Sequence, residues 1–106
     1  MITEVVLFDL PDGMTREQVI ADMRAGTAHW RAAPDLIRKV YLYDPDNGQA
    51  GGVYLWKSKD AAQRSHDEAW RRRIMQVYGS KPSIRYFETP LVVDNALHQV
   101  VEALAA

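Results

Sequence analysis

The segment running Ala50-Gly51-Gly52-Val53-Tyr54-Leu55-Trp56, taken with its flanks, restricts this chain more than any other. Its branched and aromatic residues give it strand character. Upstream, Leu36-Ile37-Arg38-Lys39-Val40-Tyr41-Leu42-Tyr43 reads the same way. Asp44-Pro45-Asp46-Asn47-Gly48 between them is turn chemistry, and Asn47-Gly48 suits the positive φ of a tight hairpin. The two strands, about Leu36–Asp44 and Ala50–Lys57, therefore form a hairpin. A helical pattern lies on either side of it, and a strand lies beyond each helix. That order, β-α-β-β-α-β, is the α+β, ferredoxin-like plan with an antiparallel sheet.

The flanking elements carry their own start and stop signals. Ile2 to Leu10 is the first strand, with Ile2, Glu4, Val6 and Phe8 on one side and Thr3, Val5, Leu7 and Asp9 on the other. Pro11-Asp12-Gly13 breaks it. Thr15 and Gln18 have the spacing of a capping box, and a helix runs from there to about Arg31, with Val19, Met23, Gly26, Thr27 and Trp30 as its buried stripe. Pro34 ends it. Ser58 caps a second helix whose stripe is Ala62, His66, Ala69, Trp70, Ile74 and Val77, and Gly79 with Pro82 beyond ends that one. Ser83 to Thr89 is the fourth strand. Pro90 to Asp94 continues as an apolar arm, and Asn95 is read as the cap of a short helix from Ala96 to about Leu104. The whole chain, 1–106, is one domain, with the arm and short helix at about 90–106.

Two helices cover one face of such a sheet, yet the strands are apolar on both faces. Val40 and Leu42 oppose Tyr41 and Tyr43; Val53 and Leu55 oppose Tyr54 and Trp56. A bare face of that kind is a large apolar patch for a monomer, and a two-fold homodimer packing sheet on sheet hides it. Net charge is −1, from 13 basic and 14 acidic residues, which gives no footprint for nucleic acid. Arg71-Arg72-Arg73 is the only basic run and reads as a solvated helix face. The absence of cysteine removes disulfides, thiolate catalysis and cysteine-ligated metals. The first ten residues carry Glu4 and Asp9 and do not read as a signal peptide, and no apolar run reaches membrane-spanning length. The expectation is a cytoplasmic protein with no membrane partner.

Three blocks carry a family resemblance: Pro34 to Leu42, Ala50 to Trp56, and Trp70 with Tyr78-Gly79 and the run Arg85-Tyr86-Phe87-Glu88-Thr89-Pro90-Leu91-Val92-Val93-Asp94-Asn95. Together they resemble the YdhR-like monooxygenase family of the dimeric α+β barrel superfamily, over nearly the whole chain to Asn95. Asp35 stands where the resemblance leads one to expect glycine. The resemblance implies a dimeric barrel and a small apolar pocket in each subunit between helices and sheet. Relatives in the superfamily include cofactor-independent quinol and anthrone monooxygenases, and others that degrade haem, isomerise lactones or decompose chlorite.

A cofactor-free oxygenase needs an electron-rich phenol or quinol, a dry pocket, a proton acceptor and donors for the developing oxyanion. His66, one turn before Trp70 on the buried stripe, is the first candidate for the acceptor. Arg85 is the second catalytic candidate, provided that it points inward. Trp30, Tyr54, Trp56, Trp70 and Tyr86 are the candidate walls for a planar ring, and the Gly51-Gly52 pair marks a close approach of something to the strand. His29 flanks Trp30, and His98 is assigned no role. The three histidines share no metal-ligand spacing, so neither a metal nor a cofactor is expected. The reading is a cofactor-independent monooxygenase of a small aromatic molecule. The alternatives are a non-catalytic binder of aromatic metabolites and a lactone-isomerase type of the same superfamily. Packing alone accounts for buried aromatics and for a buried histidine with a polar partner.

Overall fold

The computed structural model describes residues 1–103. Its main sheet has four antiparallel strands, β1 (Ile2–Asp9), β2 (Leu36–Asp44), β3 (Gln49–Trp56) and β4 (Ser83–Glu88), in the order β2-β3-β1-β4. The helices are α1 (Arg16–Ala25), α2 (Thr27–Arg31), α3 (Lys59–Ser65) and α4 (Glu68–Tyr78). They cover one face of the sheet. Along β1, Ile2, Glu4, Val6 and Phe8 are buried beneath them, while Thr3, Val5 and Leu7 are half-buried on the other side. The inner face of β3 contributes Ala50, Tyr54 and Trp56 to the same core. This is the ferredoxin-like plan that the hairpin and its flanks imply.

Local chemistry sets the element ends. The Thr15 hydroxyl accepts from the Gln18 amide at 3.2 Å, and the Gln18 side chain accepts from the Thr15 amide at 2.9 Å, closing the capping box. Ser58 caps α3 through the Ala61 amide at 3.2 Å. Gly79 ends α4 in the left-handed region at φ +71, which costs glycine nothing.

Each long helix expected from the sequence is broken in two. Gly26 closes α1 and caps α2 in the same residue. His66 leaves helical geometry at φ −105 and ψ 58, and Asp67 restarts the helix by accepting from the Trp70 amide at 3.0 Å. Asp67 is an N-cap residue type inside an otherwise periodic stretch. The restart also fixes which residues of α4 face inward: Trp70, Ile74 and Tyr78, four apart, pack on the core, and Val77 is exposed.

The short C-terminal helix is a correction. Residues 91–94 and 99–102 form a second antiparallel hairpin, β5 (Leu91–Asp94) and β6 (Gln99–Glu102), with Val92 opposite Val101. The Asp94 carboxylate accepts from the Leu97 amide at 3.1 Å, which makes a turn where a helix cap was read. So short a helix could not repay its nucleation cost, and Val100-Val101 favour a strand. Leu104, the expected helix end, lies outside the described residues. The arm is tied to the outer side of β2 by Arg38 and Asp94, 3.1 Å apart.

β2 carries an irregularity that matters for the site. Pairing with β3 skips a residue between Leu36 and Arg38, leaving Ile37 as the extra one. Without that bulge Leu36 and Lys39 could not share a face; with it, Leu36, Lys39, Tyr41 and Tyr43 all turn toward the helices. Just before β2, Asp35 holds φ +65, the left-handed conformation that the expected glycine would adopt.

Candidate active site

The inner face of the sheet is polar at its centre. Glu4 is fully buried in the middle strand, directly between Tyr54 on β3 and Tyr86 on β4. Its Oε1 accepts a hydrogen bond from the Trp56 indole N–H at 2.9 Å. The same oxygen lies 2.8 Å from His66 Nδ1. The imidazole is turned so that this close contact is out of line for a hydrogen bond, and Nδ1, Nε2 and Glu4 Oε2 are all buried with no partner. Buried polar atoms left unmatched are uncommon and mark either a bound water or a group kept for chemistry.

His66 ends α3 and is held by rings. Its imidazole centroid is 4.4 Å from Trp70, 4.5 Å from Tyr54 and 5.1 Å from Trp30. Trp30 and Tyr54 meet edge to face at 5.0 Å. Burial, and then the Glu4 charge, push the Tyr54 phenol far above its ordinary range, so it stays protonated.

Lys39 is a candidate that the sequence reading passed over. Its Nζ lies 3.9 Å from the Tyr41 ring centroid, 4.4 Å from Trp30 and 4.6 Å from Tyr54. Cations over aromatic faces are attracted by the ring quadrupole. Desolvation nevertheless dominates and lowers the amine to about 7, with the Arg73 charge adding to the shift and Asp22 and Glu4 opposing it. The strand's parity was the available signal, since Lys39 alternates in phase with Tyr41 and Tyr43, which belong to the core side.

Three cavities meet at Trp30. A small one of about 60 Å³ lies between helices and sheet, walled by Trp30, Lys39, Tyr54, Trp70 and others. A cleft of about 380 Å³ opens between α2 and β2, lined by Thr27, Trp30, Leu36, Lys39 and Tyr41 among others. A third, of about 720 Å³, lies over Gly26, His29, Trp30, Trp70 and Arg73 between the helix pairs. The inner space is smaller than the roughly 150 Å³ that holds a benzene ring, so a ring enters only if Trp30 or a neighbour yields.

The sequence candidates therefore separate. Trp30, Tyr54 and Trp70 share the inner pocket. Trp56 is fully buried behind Tyr54, stacked at 6.0 Å, and anchors Glu4. Tyr86 lines a different cleft of about 310 Å³, beside Lys59, yet it flanks Glu4 on β1; burial, and then Glu4, raise its phenol above the ordinary range. His66 sits one layer behind the pocket wall. Arg85 is exposed on the opposite face of the sheet, opposite Val5 and over the Phe87 ring at 4.8 Å, and so does not join the others. His29 is exposed against Trp30, and His98 is exposed in the turn between β5 and β6. Among the described residues, no three histidine, aspartate or glutamate side chains converge as a metal site.

The fold and this helix-covered pocket define a ferredoxin-like α+β domain. The family model described as "Putative mono-oxygenase ydhR" matches residues 6–90, and the chain belongs to that family. Among solved structures, it resembles a mutant form of SnoaB, a cofactor-independent oxygenase from Streptomyces nogalater. The TM-score is 0.61 at 15% identity, over 83% of this chain and 91% of that one. It also resembles Rv0793 from Mycobacterium tuberculosis, with TM-score 0.61 at 13% identity, over 84% of this chain and 95% of that one. At such identities the likeness concerns the fold alone. No curated protein matches the sequence significantly.

Proposed function

We propose that the protein is a cofactor-independent monooxygenase of a small phenol or quinol, working as a homodimer. The observation that carries this reading is the pocket walled by Trp30, Tyr54 and Trp70, with the Glu4–His66 pair directly behind it, in a chain of a mono-oxygenase family. Aromatic walls suit a planar ring, and dry surroundings favour a substrate that supplies its own electrons.

In this mechanism the phenol O–H yields its proton to His66, whose Nε2 has no other partner and whose Nδ1 side faces the Glu4 carboxylate. The phenolate passes one electron to dioxygen, and the aryloxyl radical and superoxide combine to form a C–O bond. The resulting peroxide takes up the stored proton. Loss of the ring hydrogen and of water then leaves a quinone, so that phenol plus dioxygen gives quinone plus water. His66 packs against Trp30, Tyr54 and Trp70, which wall the pocket, and one of these rings must turn for the proton to pass.

The homodimer accounts for the outer sheet face. Val40 and Phe87 there are 43% and 41% exposed, and Val5, Leu7, Val53 and Leu55 are half-buried with no helix above them. Light scattering should give twice the 12.1 kDa chain mass. Oxygen uptake by metal-free protein with a panel of phenols and quinols tests the activity. His66→Gln should lower turnover about 100-fold or more, the usual scale of general-base catalysis, with the fold retained. Ring binding without oxygen uptake identifies a carrier instead. Unchanged turnover in the folded variant removes His66 from the mechanism.

A further inference from the structure

We infer that Lys39 is the anion-holding residue of this pocket: its ammonium receives the phenolate oxygen of an aromatic ligand that enters through the cleft between α2 and β2 and lies against Trp30. This deepens the proposed function, since it names the ionised form in which the ligand is held. Four observations carry it.

First, Lys39 has no counter-ion. Among the described residues it forms no ion pair, although Asp22 lies nearby; that carboxylate is already taken by Arg73 at 2.8 Å and by the Tyr78 hydroxyl. Second, it lines both the 380 Å³ cleft and the 60 Å³ inner space, so it sits where the two adjoin. Third, space has been left for it. A Cβ on Gly52 would come within 3.1 Å of Lys39 Cε and of the Tyr54 ring, so the glycine lets the lysine stem lie across β3. Fourth, Lys39 and His66 flank the same two rings. Trp30 and Tyr54 are 4.4 and 4.6 Å from the amine, and 5.1 and 4.5 Å from the imidazole.

An ammonium held among aromatic rings has been stripped of water and has gained only ring quadrupoles in return. A phenolate oxygen supplies the missing negative charge, and the phenolate ring continues the aromatic wall. The geometry thus divides the work: His66 takes the proton, and Lys39 stabilises the charge left on oxygen. Lys39 contributes no bond to the reaction, and the phenolate charge beside it favours its ammonium form.

The test is optical and needs no turnover. 4-Nitrophenol absorbs in the visible only as the phenolate. Titrated into the protein at a pH where the free compound is mainly neutral, it should develop the phenolate band on binding. Lys39→Met should abolish that band and weaken binding about tenfold or more, while Lys39→Arg, a permanent cation, should retain the band. The thermal midpoint of each variant verifies folding. A neutral bound phenol, a phenolate band that persists in folded Lys39→Met, or no binding by the wild-type protein would each overturn the inference. Lys39-dependent phenolate binding without oxygen uptake would leave this inference standing and defeat the monooxygenase reading.

Discussion

The two faces of the sheet invert the usual expectation. The face under the helices holds a carboxylate, an imidazole and an amine among its aromatics: Glu4 and His66 are buried, and Lys39 is half-buried. The face without helices is the plainer one, with Val5, Leu7, Val40, Leu42, Val53 and Leu55. In the proposed reading, hydrophobicity marks where this chain meets another copy, and the exceptions to hydrophobicity mark where its chemistry is placed. The same alternation along each strand produces both, because neighbouring residues point to opposite sides.

The sharpest way to break this contrast is to remove the charge at the centre of the inner face. Glu4→Ala should cost about 3–5 kcal/mol, since it strands the Trp56 indole N–H and leaves His66 beside an empty space. Arg85→Ala, at the neighbouring strand's outer face, leaves no buried polar group unpaired within the chain and should cost about 1 kcal/mol or less. Denaturant midpoints of the two variants measure the difference. Equal losses would mean that the faces do not differ in this way.

The outer face should respond in assembly instead. Val40→Asp places a charge in the middle of the proposed sheet-on-sheet contact and should weaken the dimer by about 2 kcal/mol, the scale of an interface hot spot. Light scattering across a dilution series should show dissociation at higher concentrations than for wild type. The inner-face aromatics, followed by tryptophan fluorescence, should be unchanged.

The third effect is a slope rather than a step. Lys39 titrates at about 7 in the fold and near 10.5 when unfolded, so between those values the unfolded chain holds a proton that the folded chain has lost. Stability then rises with pH across that window, and the desolvation cost is complete below about pH 7. Lys39→Met should be more stable than wild type at pH 6, with the difference shrinking toward pH 10. Thermal midpoints at several pH values measure it.

Much of this was legible from residue types alone. The hairpin, the capping box at Thr15 and Gln18, the cap at Ser58 and the glycine stop at Gly79 are local chemistry, and local chemistry is written in short stretches of sequence. The two-faced strands were legible for the same reason. The terminal helix was misread because Asn95 and Asp94 suit both a helix cap and a turn, and only the pairing of Val92 with Val101 decides between them. The break at His66 was hidden because apolar periodicity continues across it. Glu4 stood in view, in the row of Ile2, Val6 and Phe8, yet its partners His66 and Trp56 are 62 and 52 positions away and join it only through the fold. Arg85 was misplaced by one step of strand parity. Lys39 was overlooked because a lysine in a strand is ordinarily solvated.

Trp30 stands on a helix of five residues between Gly26 and Pro34, and it forms a wall of three of the four cavities described above. One turn of helix has almost no cooperative reserve and is among the first segments of a domain to open. Admission to the inner space should therefore be governed by a clock rather than by a bore, with the entry rate following how often this turn loosens. Amide exchange at Trp30 and Arg31 should be fast compared with that at Val6, and ligand on-rates should track it.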